Sequence, residues 1–219
     1  YVTNVYNPKK SYQPQIWMND RDTTVTHTRN VLYLKPYYAL IIDQLEGSGE
    51  HVFDAHFHLD APTAALNSDG HYVHSVRNDS VQIGIYAIDK ENLQTEIIQG
   101  QDTPLLGWYP IEHRAIPTVR FRKKQETPAS FATFLYPYKN VSPMFSTENI
   151  DVRSEYMIWG QRIFTDEETA EVVLDKRNNL SAFSFQSVLI GNLDIVGKGV
   201  VIRQSKVYAD LVSVGIWGA

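Results

Sequence analysis

The sequence predicts an all-β protein, a large antiparallel β-sandwich of the supersandwich kind with little or no helix. Apolar and polar residues alternate with a period of two in short runs, which is typical of strands with one buried face. Turn-forming Gly, Asn, Asp and Pro residues separate these runs. No segment carries a sustained apolar stripe at the helical period, and the best helical candidate, residues 166–170, is only about one turn long.

Three alternating runs within residues 27–62 organise the chain. Residues 28–34 and 37–45 flank the break at Lys35-Pro36, and the turn Gly47-Ser48-Gly49 precedes the third run. Turn chemistry between alternating runs favours neighbouring antiparallel strands. We therefore predict a three-stranded antiparallel meander.

The third run, residues 52–59, has the most regular alternation in the chain. Successive side chains of a strand point to opposite faces, so Phe53, Phe57 and Leu59 share a face that we expect in the core. The opposite face carries the polar side chains Asp54, His56 and His58. Reversing the two faces would bury these polar groups, at about 1–3 kcal/mol for each one left unpaired.

Short strands follow at the spacing of sandwich proteins. They are predicted at residues 71–76, 81–88, 93–98, 118–124, 129–136, 152–164, 171–175 and 180–189, with a terminal series over 193–217. Residues 61–70 carry the turn signal Asn67-Ser68-Asp69-Gly70 and are predicted as a loop. Residues 89–92 suit a four-residue hairpin loop, which would pair the strands on either side.

The predicted domain organisation is simple. Residues 1–22 contain Pro8 and Pro14 and predict an irregular N-terminal segment. Residues 23–219 are expected to form a single sandwich domain, with a longer crossover between sheets near 137–147. Because the chain starts at a tyrosine without a leader pattern, we expect it to be a piece of a longer protein.

The composition excludes several classes of function. With 219 residues, 43% of them hydrophobic, the chain is long enough for a sizeable core. No apolar run approaches the roughly 18 residues of a spanning helix, so we expect no membrane partner. The net charge of −5 argues against a general nucleic-acid binder. The absence of cysteine excludes thiolate catalysis, cysteine metal ligands and disulfides.

The polar face of the third run raises the question of a metal site. Asp54, His56 and His58 place a carboxylate and two imidazoles on one face, which is a plausible start for zinc. A site would need a further ligand from elsewhere, and the sequence identifies none. We therefore predict no metal, and interpret this face as solvated or hydrogen-bonded.

The best candidate for contact with an anionic glycan lies between residues 108 and 124. Arginine forks match carboxylate and sulfate groups, and aromatic rings stack on sugar faces. The candidate glycan-binding residues are Trp108, Tyr109, Arg114, Arg120 and Arg122. Lys123 and Lys124 complete the basic stretch, and the alternation places Phe121 on the side opposite Arg120 and Arg122. A sheet edge protected by charge explains the same pattern.

Two stretches resemble the C-terminal β-sandwich region of heparinase II/III-like polysaccharide lyases. The first is HTRNVLYLKPYYALIID at residues 27–43, followed by Glu50-His51 and the strand that ends in His56-Phe57-His58-Leu59. The second consists of Gly107-Trp108-Tyr109, Pro117 and the strand 131–137. Together they cover roughly residues 23–138.

The resemblance implies a lyase that cleaves uronic-acid-containing polysaccharide by β-elimination, in the periplasm or outside the cell. It implies an anionic polysaccharide as the ligand and an upstream α/α-toroid catalytic domain in the parent chain. In the family, the catalytic tyrosine lies on the toroid, and the sandwich histidine and metal site lie on strands before the matched part. No stretch here matches those strands, so we expect no catalytic residue and no cofactor in this chain.

Two alternatives remain open. An independent carbohydrate-binding module would carry an exposed aromatic platform. A metal-dependent hydrolase would be built on the face of His56 and His58.

Overall fold

The structure is a computed structural model that describes residues 24–34, 38–78, 81–150, 158–166, 168–175, 187–190, 193–196, 199–205 and 211–217. It divides into two compact units, Tyr1–Val141 and Ser142–Ala219. The division falls inside the predicted crossover at 137–147. The prediction of one domain over 23–219 stays a prediction, and the irregular segment 1–22 lies outside the described residues.

The first unit is built from thirteen described strands. The long ones are β1 Val25–Leu34, β2 Tyr38–Gly47, β3 Glu50–His58, β5 Tyr72–Val76, β6 Val81–Ala87, β7 Leu93–Ile98, β12 Thr118–Glu126 and β13 Ala129–Lys139. The short ones are β4 Thr63–Leu66, β8 Gln101–Asp102, β9 Leu105–Leu106, β10 Trp108–Tyr109 and β11 Arg114–Ala115. The predicted loop 61–70 therefore contains a strand, β4, which pairs with β5.

These strands form two main antiparallel sheets. The larger has the order β1-β2-β13-β6-β5-β4, and the smaller has the order β3-β12-β7. The pairs β8-β9 and β10-β11 are separate two-stranded ribbons. The prediction of an all-β sandwich is confirmed, with no helix among the described residues.

Four connections carry the chain from the large sheet to the small one or back, namely β2 to β3, β3 to β4, β6 to β7 and β12 to β13. The predicted meander is therefore wrong at its third strand, because β3 pairs with β12 and not with β2. The predicted hairpin at 89–92 is wrong for the same reason, because β6 and β7 lie in different sheets. The corner after β2 needs glycine at position 47, where a Cβ would lie 2.0 Å from the carbonyl oxygen of Thr24.

The core lies between these two sheets. Its ring-bearing members include Phe53, Phe121 and Phe131, which are 8%, 0% and 4% exposed. Leu59 is 5% exposed, and Phe57 is partly buried and packs against the same cluster. The predicted core face of the third run is thus confirmed. Each such side chain contributes about 1.5–3 kcal/mol by leaving water.

The other face of the large sheet is also apolar and buried. Leu40 and Phe134 are cross-strand partners on β2 and β13 and are both 0% exposed. The ring of Tyr38 lies 4.5 Å from that of Phe134. Strands buried on both faces lose the alternation of polar residues, which explains the continuous apolar runs at 39–42 and 134–136.

The second unit is described from its strands. They are β14 Ser146–Asn149, β15 Ile158–Phe164, β16 Glu168–Asp175, β17 Ser187–Ile190, β18 Leu193–Val196, β19 Gly199–Ser205 and β20 Leu211–Trp217. They form a sheet of order β14-β15-β16-β19-β20 and a β17-β18 hairpin.

The helical candidate 166–170 is wrong, because the register of β16 with β15 runs through Thr169 and Ala170. No helix among the described residues could cross a membrane.

Candidate functional site

The outward face of the small sheet collects most of the predicted site residues. β3 supplies Asp54, His56 and His58, and β12 lies beside it as the central strand. The register sets Arg120 opposite His56 and Arg122 opposite Asp54. We call these five residues the polar ladder. The structure thus brings the proposed metal residues and two of the proposed glycan-binding arginines onto one surface.

Both arginines of the polar ladder are held in ion pairs. Arg122 donates from Nε and Nη2 to the two carboxylate oxygens of Asp54, each at 2.7 Å. Arg120 pairs through Nη2 with Glu96, which faces it from β7. Paired charges of opposite sign leave this surface close to neutral.

The positive partner also controls the ionisation of Asp54. Burial by itself raises the pKa of Asp54, but the hydrogen bond and charge of Arg122, with smaller effects from His56 and Arg120, lower it overall. Asp54 is therefore a carboxylate at neutral pH, and both of its oxygens already accept hydrogen bonds.

The two histidines of the polar ladder are kept neutral. Burial lowers the pKa of His56. The negative charge of Asp54 raises this pKa, but the positive charges of Arg120 and Arg122 lower it again, so the overall shift is downward. His58 lies at the more exposed end, with Nδ1 2.8 Å from the buried hydroxyl of Thr118, and partial burial lowers its pKa as well. The side chains of His56 and His58 are therefore less exposed to solvent than the predicted solvated strand face implies.

The arrangement does not gather metal ligands. In the described part of the chain, no group of three or more His, Asp or Glu side chains could hold a metal ion. The absence of a metal stays a prediction, as does the assignment of no catalytic residue.

The interpretation of the basic stretch as a protected sheet edge is wrong. β12 is paired on both sides, with β3 and with β7. The alternation itself is confirmed, because Phe121 and Lys123 point into the sandwich. Lys123 is 2% exposed and lies 3.0 Å from Asp89, with its Nζ 5.6 Å above the ring of Phe131.

The remaining predicted residues lie on the small ribbon β10-β11. Tyr109 and Arg114 are cross-strand partners, and the Arg114 guanidinium lies 4.7 Å over the Tyr109 ring. Arg114 also pairs with Asp60 and Glu112, both well exposed. Gly107 shapes the approach, since its φ is +79° and a Cβ would lie 2.7 Å from the carbonyl oxygen of Ile98.

The two aromatic residues of this ribbon do not form one platform. Trp108 and Tyr109 are adjacent on a strand, so their rings point to opposite sides. Both are half-buried, and the Trp108 Nε1 donates to the carbonyl oxygen of Gln101 at 3.0 Å. The exposed aromatic platform expected of an independent module is therefore not found at this ribbon.

Sequence reasoning missed a second polar cluster, around Asp43. Asp43 is 2% exposed on β2, and Arg29 of β1 donates to both of its carboxylate oxygens, at 2.6 and 2.9 Å. The Nε2 of His27 lies 2.6 Å from Oδ1 of the same carboxylate. The available signal in the sequence was that Asp43 ends an apolar run, which is unusual for a charged residue. Its partners His27 and Arg29 could not be identified, because they depend on the register between β1 and β2.

Comparisons with known proteins define first a class and then a family. The class is that of antiparallel β-sandwich proteins, and two solved structures share this fold. Within that class, the chain belongs to the heparinase II/III-like family: the sequence model described as "Heparinase II/III-like, C-terminal" matches residues 16–148. The predicted resemblance is thus confirmed. No curated protein sequence matches the chain.

The solved structures are distant in sequence. The heparan sulfate lyase HepC of Pedobacter heparinus is 17% identical, with a TM-score of 0.58 over 71% of this chain and 25% of that chain. A heparinase III gene product is 15% identical, with a TM-score of 0.55 over 69% of this chain and 24% of that chain. The present chain therefore spans about a quarter of the length of these lyases.

Proposed function

We propose that this chain is the C-terminal β-sandwich region of a polysaccharide lyase, and that it supports the reaction without supplying catalytic groups. The parent chain would cleave a uronic-acid-containing polysaccharide by β-elimination, in the periplasm or outside the cell. Its catalytic part would be an upstream α/α-toroid domain. The observation that carries this proposal is the family match over residues 16–148, which includes every strand of the sandwich unit.

The chemistry of the polar ladder supports a role without catalysis. β-Elimination needs a base, an acid and a cation that neutralises the uronate carboxylate. Among the described residues, the ladder offers imidazoles as bases, but its two guanidinium groups are already neutralised by Asp54 and Glu96. A uronate placed here would have to displace a protein carboxylate before it gained a positive partner.

The proposed glycan contact is first of all Arg114 on the β10-β11 ribbon. Arg120 and Arg122 of the polar ladder are the second choice. Ion pairs between exposed side chains contribute only about 0–1 kcal/mol, so a sulfate or carboxylate of the glycan exchanges with them at little cost. Arg114 fits this best, because its partners Asp60 and Glu112 are 67% and 60% exposed. Arg120 and the bidentate Arg122 are held more firmly, and Trp108 and Tyr109 line the ribbon beside Arg114.

A lyase assay tests the proposed division of labour. The purified chain is incubated with heparin, heparan sulfate and alginate, and the ultraviolet absorbance of the unsaturated product is followed. We expect no turnover by this chain, and turnover by the parent chain that carries its upstream region. Turnover by this chain alone would overturn the non-catalytic role, and inactivity of the parent on every uronate tested would overturn the lyase assignment.

A binding assay tests the glycan contact. Arg114→Ala should elute from immobilised heparin at lower salt than the wild type, because one attraction to the polyanion is lost and less salt is then needed to screen the rest. Arg162→Ala is the matched control, since Arg162 is also a partly exposed arginine that pairs with an exposed carboxylate, Glu148. Equal elution of the two variants would contradict the assignment of Arg114.

A further inference from the structure

A cavity of about 230 Å³ opens where the edge strands of the two sheets face each other. The large sheet contributes residues of β1, β2 and β13, and the small sheet contributes the first half of β3. Its polar corner is formed by Asp43 and His27, and its walls include Val25, Leu45 and Phe131. The stretch that carries the family resemblance, residues 27–43, supplies the whole polar corner.

The buried carboxylate of Asp43 lines this cavity and keeps one acceptor position. A carboxylate offers about four acceptor positions. Arg29 occupies one on each oxygen of Asp43, and the Nε2 of His27 occupies a second on Oδ1. One position on Oδ2 is left for a donor that enters the cavity. Because Asp43 is 2% exposed, that position is shielded from bulk water.

The rest of the cavity is suited to the flat side of a ring. The His51 and Phe53 rings lie 5.6 Å apart on the β3 side, and Leu45 and Phe131 line the opposite side. The His27 imidazole, with its side chain 43% exposed, stands at the mouth next to the acceptor. The β3 side also carries the polar side chains of His51 and Asp54, and Asp54 is already paired with Arg122.

Charge and volume together restrict the ligand. The two carboxylates that line the cavity, Asp43 and Asp54, would repel an anion. Each is already paired with an arginine, so a cation would gain little from them. A neutral group with hydroxyl donors therefore fits this corner best. Pockets for drug-sized ligands usually measure about 300–1,000 Å³, and this cavity is smaller. It has room for one ring and not for an extended chain.

We propose that this cavity binds a single pyranose ring, with one hydroxyl donating to Asp43, a second hydroxyl at His27, and the C–H face of the sugar against the apolar walls. The proposal rests on the proposed function, because it takes the ligand to be one residue of the polysaccharide, at a chain end or a branch. It assigns this cavity a separate role from the arginines at the ribbon and the ladder.

A cavity-filling variant tests the site without removing a charge. Val25→Phe places a larger side chain at the wall, and Val31→Phe makes the same change on the same strand, at a residue that is 61% exposed and outside the lining. The probes are a heparan-derived disaccharide and the neutral disaccharide cellobiose, titrated calorimetrically. We expect saturable binding of at least one probe, weakened about tenfold by Val25→Phe and unchanged by Val31→Phe, where tenfold corresponds to about 1.4 kcal/mol.

A second measurement protects the test against a variant that does not fold. In the wild-type chain, amide chemical shifts should move on addition of the binding disaccharide at Val25, Asp43 and Phe53, and stay fixed at Val31. Binding that Val25→Phe and Val31→Phe weaken equally, shifts that avoid the cavity, or no saturable binding of either probe would each overturn the proposal.

The same experiments separate this proposal from the proposed function. If the parent chain cleaves uronate polysaccharide but neither disaccharide binds the cavity, the cavity proposal fails and the lyase assignment stands. If the cavity binds a sugar but the parent chain cleaves nothing, the cavity proposal stands and the chain acts as a carbohydrate-binding module.

Discussion

The two faces of the β3-β12 strand pair differ in what they contribute to the protein. The inner face carries Phe53 and Phe121, which leave water almost completely. The outer face carries the polar ladder, in which Asp54 and Arg122 form a partly exposed bidentate pair. Burial of apolar area stabilises without direction, whereas a bidentate ion pair contributes little net energy but requires one geometry. The inner face therefore provides stability, and the outer face provides specificity.

The contrast explains how this strand pair keeps its register. A shift of one residue would turn Asp54 and His56 toward the core and expose Phe53. It would also separate Asp54 from Arg122, its direct cross-strand partner. Both faces thus oppose the same error, one through lost burial and the other through unpaired charge.

The largest effect is expected from the inner face. Phe121→Ala removes a fully buried ring and should lower the free energy of unfolding by about 3–5 kcal/mol, the range for buried aromatic residues. Phe57→Ala should cost less, because Phe57 is only partly buried. Denaturant titration measures both losses. Val52→Ala, at a residue 54% exposed on the outer face, is the control and should stay within about 0.5 kcal/mol. A loss for Val52→Ala equal to that for Phe121→Ala would break the contrast.

An intermediate effect is expected from the central pair of the ladder. Asp54→Ala leaves a guanidinium group half-buried without its carboxylate and should cost about 1–3 kcal/mol. In the double variant Asp54→Ala with Arg122→Ala, no charge is left without its partner, so its loss should be smaller than the sum of the two single losses. Urea titration of the four proteins gives this coupling energy. Strictly additive losses would show that the pair does not act as a unit.

The sequence was informative where one principle decides the local structure. Alternation alone predicts that Phe53 and Leu59 are inside and His58 outside, because a strand has only two faces. It also separates Phe121 from Arg122. Alternation did not reveal that the turn at Gly47 changes sheets, since a tight turn serves a hairpin and a sheet corner equally well.

The candidate sites were less predictable, because they depend on pairing between distant strands. Asp54 and Arg122 are 68 positions apart, and nothing local in the sequence indicates that β12 lies beside β3. The same lack of pairing information made β12 look like an edge strand. It also hid the cluster of His27, Arg29 and Asp43, although all three were visible within one stretch.

A smaller effect is expected from pH and again separates the two faces. The pKa values of His56 and His58 are lowered below about 6.5, so the unfolded chain takes up protons first as the pH falls. The stabilisation is therefore present above about pH 6.5 and is lost as the pH falls toward the folded-state pKa values. Urea titrations at about pH 7.5 and about pH 5.5 should show lower stability at the acidic pH.

The double variant His56→Gln with His58→Gln is the test of that assignment. It should lose less stability than the wild type between the same two pH values, because these two protonation sites are gone. Phe57→Ala, on the inner face of the same strand, should keep the wild-type pH dependence. An unchanged pH dependence in the His56→Gln and His58→Gln variant would place the titrating groups elsewhere.

The smallest effect is expected at the end of the ladder, where neighbouring lysines lie on opposite faces. Lys124 is 66% exposed and pairs with the exposed Glu50 at 3.2 Å, whereas Lys123 is buried beside Asp89. An exposed pair gains little in water, and salt screens it further. Lys124→Ala should therefore change the free energy of unfolding by no more than about 0.5 kcal/mol, and added salt should remove even that. Lys123→Ala removes a buried partner of Asp89 and should cost several times more, with little dependence on salt. If the two variants lost stability equally in the same titration, burial would not be what distinguishes the two faces of this strand.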